Sequence, residues 1–263
     1  MSDRADRHAT DFTSPNAARM HDFLLGGTLN TPVDRAAATA AVARRPELLD
    51  LARHHRAFLR RVVHHMVTTG VRQFLDLGSG LPTVHPTHDV ARDHHDDLPV
   101  VYVDHDPTTV DHGRRILRDT AGTVIEADLL DPDAVLGHPE TRRLLDFTRP
   151  VGILAIDVLD TCADHDRARA AVDAYIAAGP TGGMVAITHA SGQEDPAAGR
   201  DERPAALYPV QRTRRSPHRI ATWLNRLTLV EPGIVPPWRW RPDEATPRPP
   251  ERSDVICAVG VVT

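Results

Sequence analysis

The segment at residues 74–83, FLDLGSGLPT, restricts the fold of this chain more than any other. An apolar strand is predicted to end at Leu77 and to pass directly into Gly78-Ser79-Gly80, where missing side chains permit a sharp turn and a close approach of backbone to a ligand. A dinucleotide site would carry a third glycine in the spacing G-x-G-x-x-G, but Pro82 interrupts that schedule. The segment therefore predicts a ligand at the end of a buried strand and disfavours a nicotinamide dehydrogenase. A plain tight turn is the alternative for this segment alone.

Beyond Gly70, short apolar runs alternate with helical patterns, and this alternation is typical of βαβ units with a parallel sheet. The runs are nearly continuous in hydrophobicity, as expected for strands covered on both faces. Strands are predicted at residues 73–77, 100–104, 123–126, 151–156 and 184–188, with closing strands at 228–231 and 255–262. Helices are predicted at residues 87–93, 108–118, 133–145, 166–178 and 217–227.

The N-terminal quarter of the chain has a different pattern. Residues 1–14 lack apolar periodicity and are expected to form a flexible tail, while residues 15–70 predict a helical cap and residues 71–263 the ligand-binding domain. Gly26-Gly27 is expected to end the first cap helix. The third and longest helix begins near Pro46 and carries Arg56 and Arg60 one turn apart, where they could face one anion or simply a solvated surface.

Composition excludes several classes of function. A net charge of −5 and an aromatic content of 4% give neither a basic face nor a stacking platform, so we expect no nucleic-acid partner. The arginine-rich run at residues 211–219 is interpreted as a solvated loop or helix entry, with an anionic partner as the alternative. No apolar stretch could span a membrane or act as a signal, the two cysteines are distant, and zinc-site spacings are missing. A cytoplasmic protein without metal is expected, and its oligomeric state is left open.

Acidic residues stand at three successive predicted strand ends. Asp76 suits a ligand with an ammonium group and no phosphate, of which S-adenosylmethionine is the common one. Asp104 follows at a spacing that allows hydrogen bonds from both ribose hydroxyls, and Asp128 could receive an adenine amino group. Each aspartate taken alone could equally be a turn or helix-capping residue. Three in register favour a nucleoside site.

Seven segments together are distinctive, and through them the chain resembles the bacterial S-adenosyl methyltransferases of high-GC genomes. They are PNAARMHDFLLGG, RAFLRRVV, FLDLGSGLPT, VVYVDHDP, EADLLDP, MVAITHAS and LVEPGIVPPWRWRPD. The resemblance implies an α/β, class I methyltransferase Rossmann-like sheet of order 3-2-1-4-5-7-6, with strand 7 antiparallel and an N-terminal helical extension. It also implies S-adenosyl-L-methionine as the cofactor.

The resemblance carries cofactor roles onto particular positions of this sequence. It places Asp76, Gly78, Ser79 and Gly80 at the methionine end, Asp104 at the ribose and Asp128 at the adenine, with the neighbouring His105 and Leu129 as further candidates. Arg56 is a candidate for the methionine carboxylate, and Gly26 and Asn30 for a lid edge.

The chain departs from the family pattern after the fourth strand. Where the family typically reads A-V-L-H-F-x-P-D, residues 157–164 read DVLDTCAD, so Asp160 replaces a histidine and Asp157 is a new carboxylate. Asp157, Asp160 and His189, at predicted strand ends, are the catalytic candidates for removing a proton from an acceptor. Helix capping and turn hydrogen bonding are their structural alternatives.

The sequence thus predicts a methyltransferase acting on a small-molecule acceptor, in specialised metabolism. The alternative is a protein that binds S-adenosylmethionine or S-adenosylhomocysteine without transferase activity, as a sensor or regulatory partner.

Overall fold

The computed structural model describes residues 12–192, 212–250 and 254–263. Most of the predicted tail and residues 193–211 lie outside this part of the chain. Seven strands are present in it: β1 Phe74–Leu77, β2 Val100–Asp104, β3 Gly122–Glu126, β4 Gly152–Ala155, β5 Met184–Ala190, β6 Leu227–Leu229 and β7 Val255–Val262. They form one sheet of order β3-β2-β1-β4-β5-β7-β6, which confirms the predicted class I methyltransferase architecture.

The first five strands are parallel, and β7 is antiparallel to both β5 and β6. The central strand β1 pairs with β2 on one side and β4 on the other, so that Phe74 faces both Val100 and Gly152 in register. Every residue of β1, β2 and β4 is buried, because helices cover both faces of the sheet. The carboxyl ends of β1, β2 and β4 therefore meet at one edge.

Nine helices accompany the strands in the described residues: α1 Ala17–Leu24, α2 Pro32–Arg44, α3 Glu47–Thr68, α4 Thr87–Arg92, α5 Pro107–Ile116, α6 Pro132–Gly137, α7 Pro139–Leu144, α8 His165–Ala178 and α9 Pro217–Trp223. Side chains of Asn16, Thr31, Asp106, Asp131, Asp164 and Ser216 cap helix N-termini. None of these helices is long and apolar enough to cross a membrane.

The single helix predicted at residues 133–145 is wrong, since the structure has two short helices, α6 and α7. Pro139 lacks the N–H that a continuing helix requires and disfavours helical backbone at the preceding residue. His138 accordingly takes an extended ψ of 135° and caps the second helix through its side chain.

Two apolar layers cover the sheet. On one face, Phe58, Val62 and Met66 of α3 pack with Phe74 and Trp240. On the other face, helix α8 and the buried Trp223 pack against the opposite side chains of the same strands. Helix α3 also belongs to a small cluster with α1 and α2, so the N-terminal helices are fixed to the sheet through it.

A buried ion pair joins α1 to α2. Arg19 Nε donates to Asp34 Oδ2 at 2.7 Å, and both side chains are almost fully enclosed. Asp34 also closes the capping box of α2 with Thr31 and accepts from the backbone N–H of Asn16. Burial alone would raise the pKa of Asp34, but the hydrogen bonds from Arg19 and Thr31 hold it below its ordinary value. The start of α1, which faces the cleft described next, is thereby fixed in position.

Candidate active site

A cleft of about 710 Å³ opens at the carboxyl ends of β1, β2 and β4 and is bordered by α1 and α3. Parallel α/β sheets bind ligands at this edge. The structure brings most of the predicted cofactor residues together on its walls: Arg56, Asp76, Gly78, Ser79, Gly80, Asp104, His105, Asp128 and Leu129. Of the three catalytic candidates, Asp157 is among the residues that line it.

The glycine turn after β1 has no room for side chains. Gly78 has a φ of +64° and Gly80 a φ of +61°, which glycine adopts without strain. A Cβ at Gly78 would lie 2.2 Å from Cγ2 of Val158, so the turn packs directly against the segment after β4. The missing side chains therefore bring two cleft walls into contact.

Asp104 links the turn to the end of β2. Its Oδ2 accepts from the backbone N–H of Gly80 at 3.0 Å, and its Oδ1 accepts from the N–H of Asp106 at 2.9 Å. Burial raises the pKa of Asp104, and these backbone hydrogen bonds oppose the shift. Because a carboxylate oxygen has two lone pairs, each oxygen can still accept one hydrogen bond from a ligand.

Asp76 and Arg56 place opposite charges near the end of β1. Asp76 accepts from the Thr87 hydroxyl at 2.7 Å, and burial raises its pKa to about 6 despite that bond and the nearby Arg56. The Arg56 guanidinium has no hydrogen-bond or ion-pair partner within the described ranges. Burial lowers the pKa of Arg56, although arginine remains charged. A cation without a partner on a cleft wall is suited to an anionic ligand group.

At the other end of the cleft, Asp128 and Leu129 follow β3. Asp128 pairs with Arg167 at 2.9 Å and accepts from the N–H of Leu130. The Leu129 carbonyl accepts from the Tyr175 hydroxyl at 2.8 Å, which fixes the backbone of this wall.

Gly26 and Asn30 are not among the residues that line the cleft. Gly26 ends α1 with a φ of +81°, as the sequence predicted for a C-terminal glycine. The Asn30 side-chain amide donates to Asp22 Oδ2 at 2.8 Å, and the Thr83 hydroxyl donates to Asp22 Oδ1 at 2.5 Å. Because Asp22 does line the cleft, Asn30 acts on the site through Asp22 instead of directly.

The catalytic candidate Asp157 is held by strong partners. Arg212 donates to both of its oxygens, at 2.5 and 2.9 Å, and its backbone N–H donates to the Thr188 hydroxyl. Burial alone would raise the pKa of Asp157, but Arg212 and His55 lower it well below the usual range. Asp157 is therefore a weak proton acceptor.

The other two catalytic candidates do not line the cleft. Asp160 is 2% exposed and binds Arg212 at 2.9 Å, while its second oxygen accepts from the N–H of Ala190. His189 is 1% exposed, its Nδ1 lies 2.6 Å from the Ala190 carbonyl and its Nε2 accepts from Arg215 at 2.9 Å. Burial lowers the pKa of His189, and both ring nitrogens are already occupied. The predicted place of these two side chains beside the acceptor is wrong, because both are used in the support beneath the site.

The interpretation of residues 211–219 as a solvated stretch is wrong for its described part. Arg212 lines the cleft, and Arg215 is 2% exposed, donates to the Cys162 carbonyl and stacks over the Trp223 ring. Gln211 lies outside the described residues. Arginine charge suggested solvent, but the two carboxylates that Arg212 binds stand more than fifty positions away in sequence.

Two histidines of the cleft were missed from sequence. His21 of α1 and His55 of α3 both line it. Burial lowers the pKa of His21 to about 4, so its imidazole is neutral near pH 7. The available signal was their helical position: His21 adjoins Asp22 and His55 adjoins Arg56. In the described part of the chain, no group of three or more His, Cys, Asp or Glu is arranged to hold a metal.

Comparison with known proteins identifies the family. A sequence model described as S-adenosyl methyltransferase matches residues 3–263. The chain belongs to this S-adenosyl methyltransferase family. A search of curated proteins found no match.

Solved structures agree with membership of the S-adenosyl methyltransferase family. A candidate methyltransferase from Thermobifida fusca YX shares 35% identity, with 96% of each chain covered and a TM-score of 0.81. A DUF574 family protein from Streptomyces avermitilis MA-4680 shares 33% identity over 96% of this chain and 99% of its own, with a TM-score of 0.85. A Burkholderia thailandensis N1-methyltransferase shares only the fold, at 13% identity, 90% and 92% coverage and a TM-score of 0.52.

The cofactor of this S-adenosyl methyltransferase is S-adenosylmethionine, as predicted. The side chains in the cleft fit it: an arginine without a partner suits a carboxylate, and buried carboxylates with free lone pairs suit an ammonium group and a ribose.

Proposed function

We propose that the protein transfers the methyl group of S-adenosylmethionine to a small-molecule acceptor of specialised metabolism. The enclosure of the cleft carries this proposal. Helices α1 and α3 border the strand ends, and the resulting volume of about 710 Å³ falls within the range of small-molecule sites, roughly 300–1,000 Å³. A cleft bordered in this way favours a compact acceptor over a nucleic-acid duplex or a folded protein surface.

The fold supports the pairing of cofactor and small acceptor in one cleft. The Burkholderia thailandensis enzyme was crystallised with 1,6-didemethyltoxoflavin and S-adenosylhomocysteine bound together. That observation concerns the other enzyme, and it supports the same division of space in this chain.

The proposed cofactor contacts run along the strand ends. Arg56 binds the methionine carboxylate, and Asp76 accepts from the ammonium group. The residues Gly78, Ser79 and Gly80 allow the backbone to approach the ligand.

The nucleoside end of the cofactor is assigned to the next two strand ends. Asp104 accepts from the ribose hydroxyls, with His105 beside it, and Asp128 and Leu129 contact the adenine. Gly26 and Asn30 contribute indirectly, through the position of Asp22.

Bound S-adenosylmethionine supplies a methyl group on a positively charged sulfur. The protein's own contribution is to hold an acceptor atom about 3–3.5 Å from that methyl carbon and in line with the bond that breaks. The segment after β4, with Asp157 and Val158, touches the glycine turn and forms the wall nearest to this position.

Transfer of a labelled methyl group tests the proposal. The protein is incubated with methyl-labelled S-adenosylmethionine and either ultrafiltered bacterial metabolites or the retained macromolecules, and S-adenosylhomocysteine binding is measured by calorimetry. We expect label in the small-molecule fraction. Label in protein or nucleic acid, or cofactor binding without transfer to any fraction, would contradict the proposal.

A matched pair of variants on α3 provides the control. Arg56→Gln removes the cation that faces the cleft, whereas Arg53→Gln removes an exposed arginine on the same helix. We expect Arg56→Gln to weaken S-adenosylhomocysteine binding by about tenfold or more, the effect of one charge-assisted hydrogen bond, and Arg53→Gln to leave it unchanged.

A further inference from the structure

His55 is a buried histidine whose hydrogen-bonding capacity is unused. Its side chain is about 5% exposed and lines the cleft. Within the described residues, neither ring nitrogen is aligned with a hydrogen-bond partner. A buried polar group left in this condition costs free energy, and such groups in native proteins commonly have a ligand or catalytic role.

The contact between His55 and Asp157 gives the ring a direction. Nδ1 of His55 lies 3.0 Å from Oδ1 of Asp157, while Nε2 is left without a protein partner. Because the terminal torsion of histidine is broad, a small rotation aligns Nδ1–H with the carboxylate. In that arrangement Nε2 presents its lone pair to whatever occupies the cleft.

The charges beyond Asp157 stabilise a proton on His55. Asp157 and Asp160 together carry two negative charges, and Arg212 between them carries one positive charge. The group therefore has one negative charge in excess, at the edge of the imidazole. An imidazolium formed at His55 would balance it.

Other titratable groups face His55 from the helices around it. His21 approaches from α1, and His54 and Arg56 are its neighbours on α3. Burial lowers the pKa of His21 and of His54, so neither adds a positive charge near pH 7. Arg56 does add one, and the proposed carboxylate of the cofactor would neutralise it.

We propose that His55 is the general base of the reaction, with Asp157 as its positioning residue, and that the acceptor carries an ionisable N–H or O–H group. This inference rests on the proposed function and names the acceptor class. Tertiary amines and thioethers, which lose no proton on methylation, would have no use for this arrangement.

The proton and the electron pairs balance in a single displacement. The N–H or O–H bond of the acceptor breaks, and its proton moves to Nε2 of His55. The electron pair left on the acceptor atom forms the new bond to the methyl carbon, and the pair of the breaking carbon–sulfur bond remains on sulfur as the thioether of S-adenosylhomocysteine. The proton on His55 then returns to solvent.

The first test reads the ring directly and needs no acceptor. Histidine labelled with ¹⁵N is incorporated into the full chain, S-adenosylhomocysteine is added, and the His55 signals are assigned with the variant His55→Gln. We expect the neutral ring to carry its proton on Nδ1, and Asp157→Asn to lower the pKa of His55 because a neighbouring negative charge is lost. A proton on Nε2 in the wild-type protein would overturn the proposal, and this reading does not depend on how Asp157→Asn folds.

The second test uses the metabolite fraction that accepts label. We expect His55→Gln to reduce kcat by about 10²–10⁴-fold, the range for loss of a general base, with S-adenosylhomocysteine affinity unchanged and part of the rate restored at high pH, where the acceptor ionises unaided. An exposed control, His95→Gln, should behave as wild type. A His55→Gln enzyme with wild-type kcat would overturn the role of His55. Lack of cofactor binding or of any labelled small molecule would instead count against the proposed function.

Discussion

The guanidinium of Arg212 lies between two carboxylates, 2.5 Å from Oδ1 of Asp157 and 2.9 Å from Oδ1 of Asp160. Asp160 also accepts from the N–H of Ala190, and its carbonyl accepts from the N–H of Thr213. The bridge therefore ties the segment after β4 to the chain that precedes α9. The cleft wall at Asp157 depends on this bridge.

Removing Arg212 should destabilise the fold. Arg212→Gln leaves two carboxylates close together with their cation gone, and loss of one partner of a buried pair costs about 3–5 kcal/mol. We expect a value near the lower end, because Arg212 is 27% exposed. Urea denaturation measures it, with the exposed Arg226→Gln as control. Adding Asp160→Asn to Arg212→Gln should recover part of the loss, and equal stability of the two arginine variants would refute the structural role of the bridge.

Gly78→Ala should be far more damaging than a comparable change elsewhere. Both Gly78 and Gly70 have positive φ, so alanine is strained at either position, by about 1–2 kcal/mol. Only at Gly78 would the new Cβ also meet Val158, and overpacking of this kind adds about 1–3 kcal/mol. Gly70→Ala, with no atom within 4 Å of the added Cβ, is the matched control. Similar free energies of unfolding for both variants would contradict the close contact of turn and wall.

His21 should make stability depend on pH. Burial lowers its pKa from 6.5 to about 4, so between these values the unfolded chain binds a proton that the folded chain does not. The contribution is fully present above pH 6.5 and is lost as pH falls toward 4. In denaturation curves across this window, His21→Gln should show a shallower decline than wild type, and the exposed His95→Gln should not. Parallel curves for wild type and His21→Gln would show that His21 is not held neutral.

Asp104→Asn should weaken binding of the cofactor product. The carboxylate already accepts from the N–H groups of Gly80 and Asp106, and asparagine has only one accepting oxygen to divide between them and a ribose. A charge-assisted hydrogen bond contributes about 1.5–3 kcal/mol, so we expect S-adenosylhomocysteine affinity to fall by roughly tenfold to a hundredfold. Calorimetry on this variant and on the exposed Asp96→Asn tests it, and equal affinities would remove Asp104 from the site.

The sheet was predictable because its signals are local. The strands β1, β2 and β4 are continuous apolar runs, and the turn at Gly78 follows from missing side chains. The residues on the cleft walls next to these strands were found for the same reason: the carboxyl ends of parallel strands meet at one edge. The break at Pro139 was also a local signal, since proline and the residue before it oppose a continuous helix.

The support beneath the site was not predictable, because it depends on pairs that are distant in sequence. Arg212 meets Asp157 and Asp160 only through the fold, and His55 reaches Asp157 from a different helix. A single histidine on an amphipathic helix gives no sign of whether its ring nitrogens find partners. Burial and pairing decided these roles, and neither can be read from local spacing.

A crystal structure with S-adenosylhomocysteine bound tests the central claim most directly. We predict that the nucleoside lies across the carboxyl ends of β1, β2 and β3, with its ribose on Asp104, its carboxylate on Arg56 and its sulfur facing the space beside His55 and Asp157. A nucleoside bound outside this cleft, or one lying in it with neither Asp104 nor Arg56 in contact, would contradict the account.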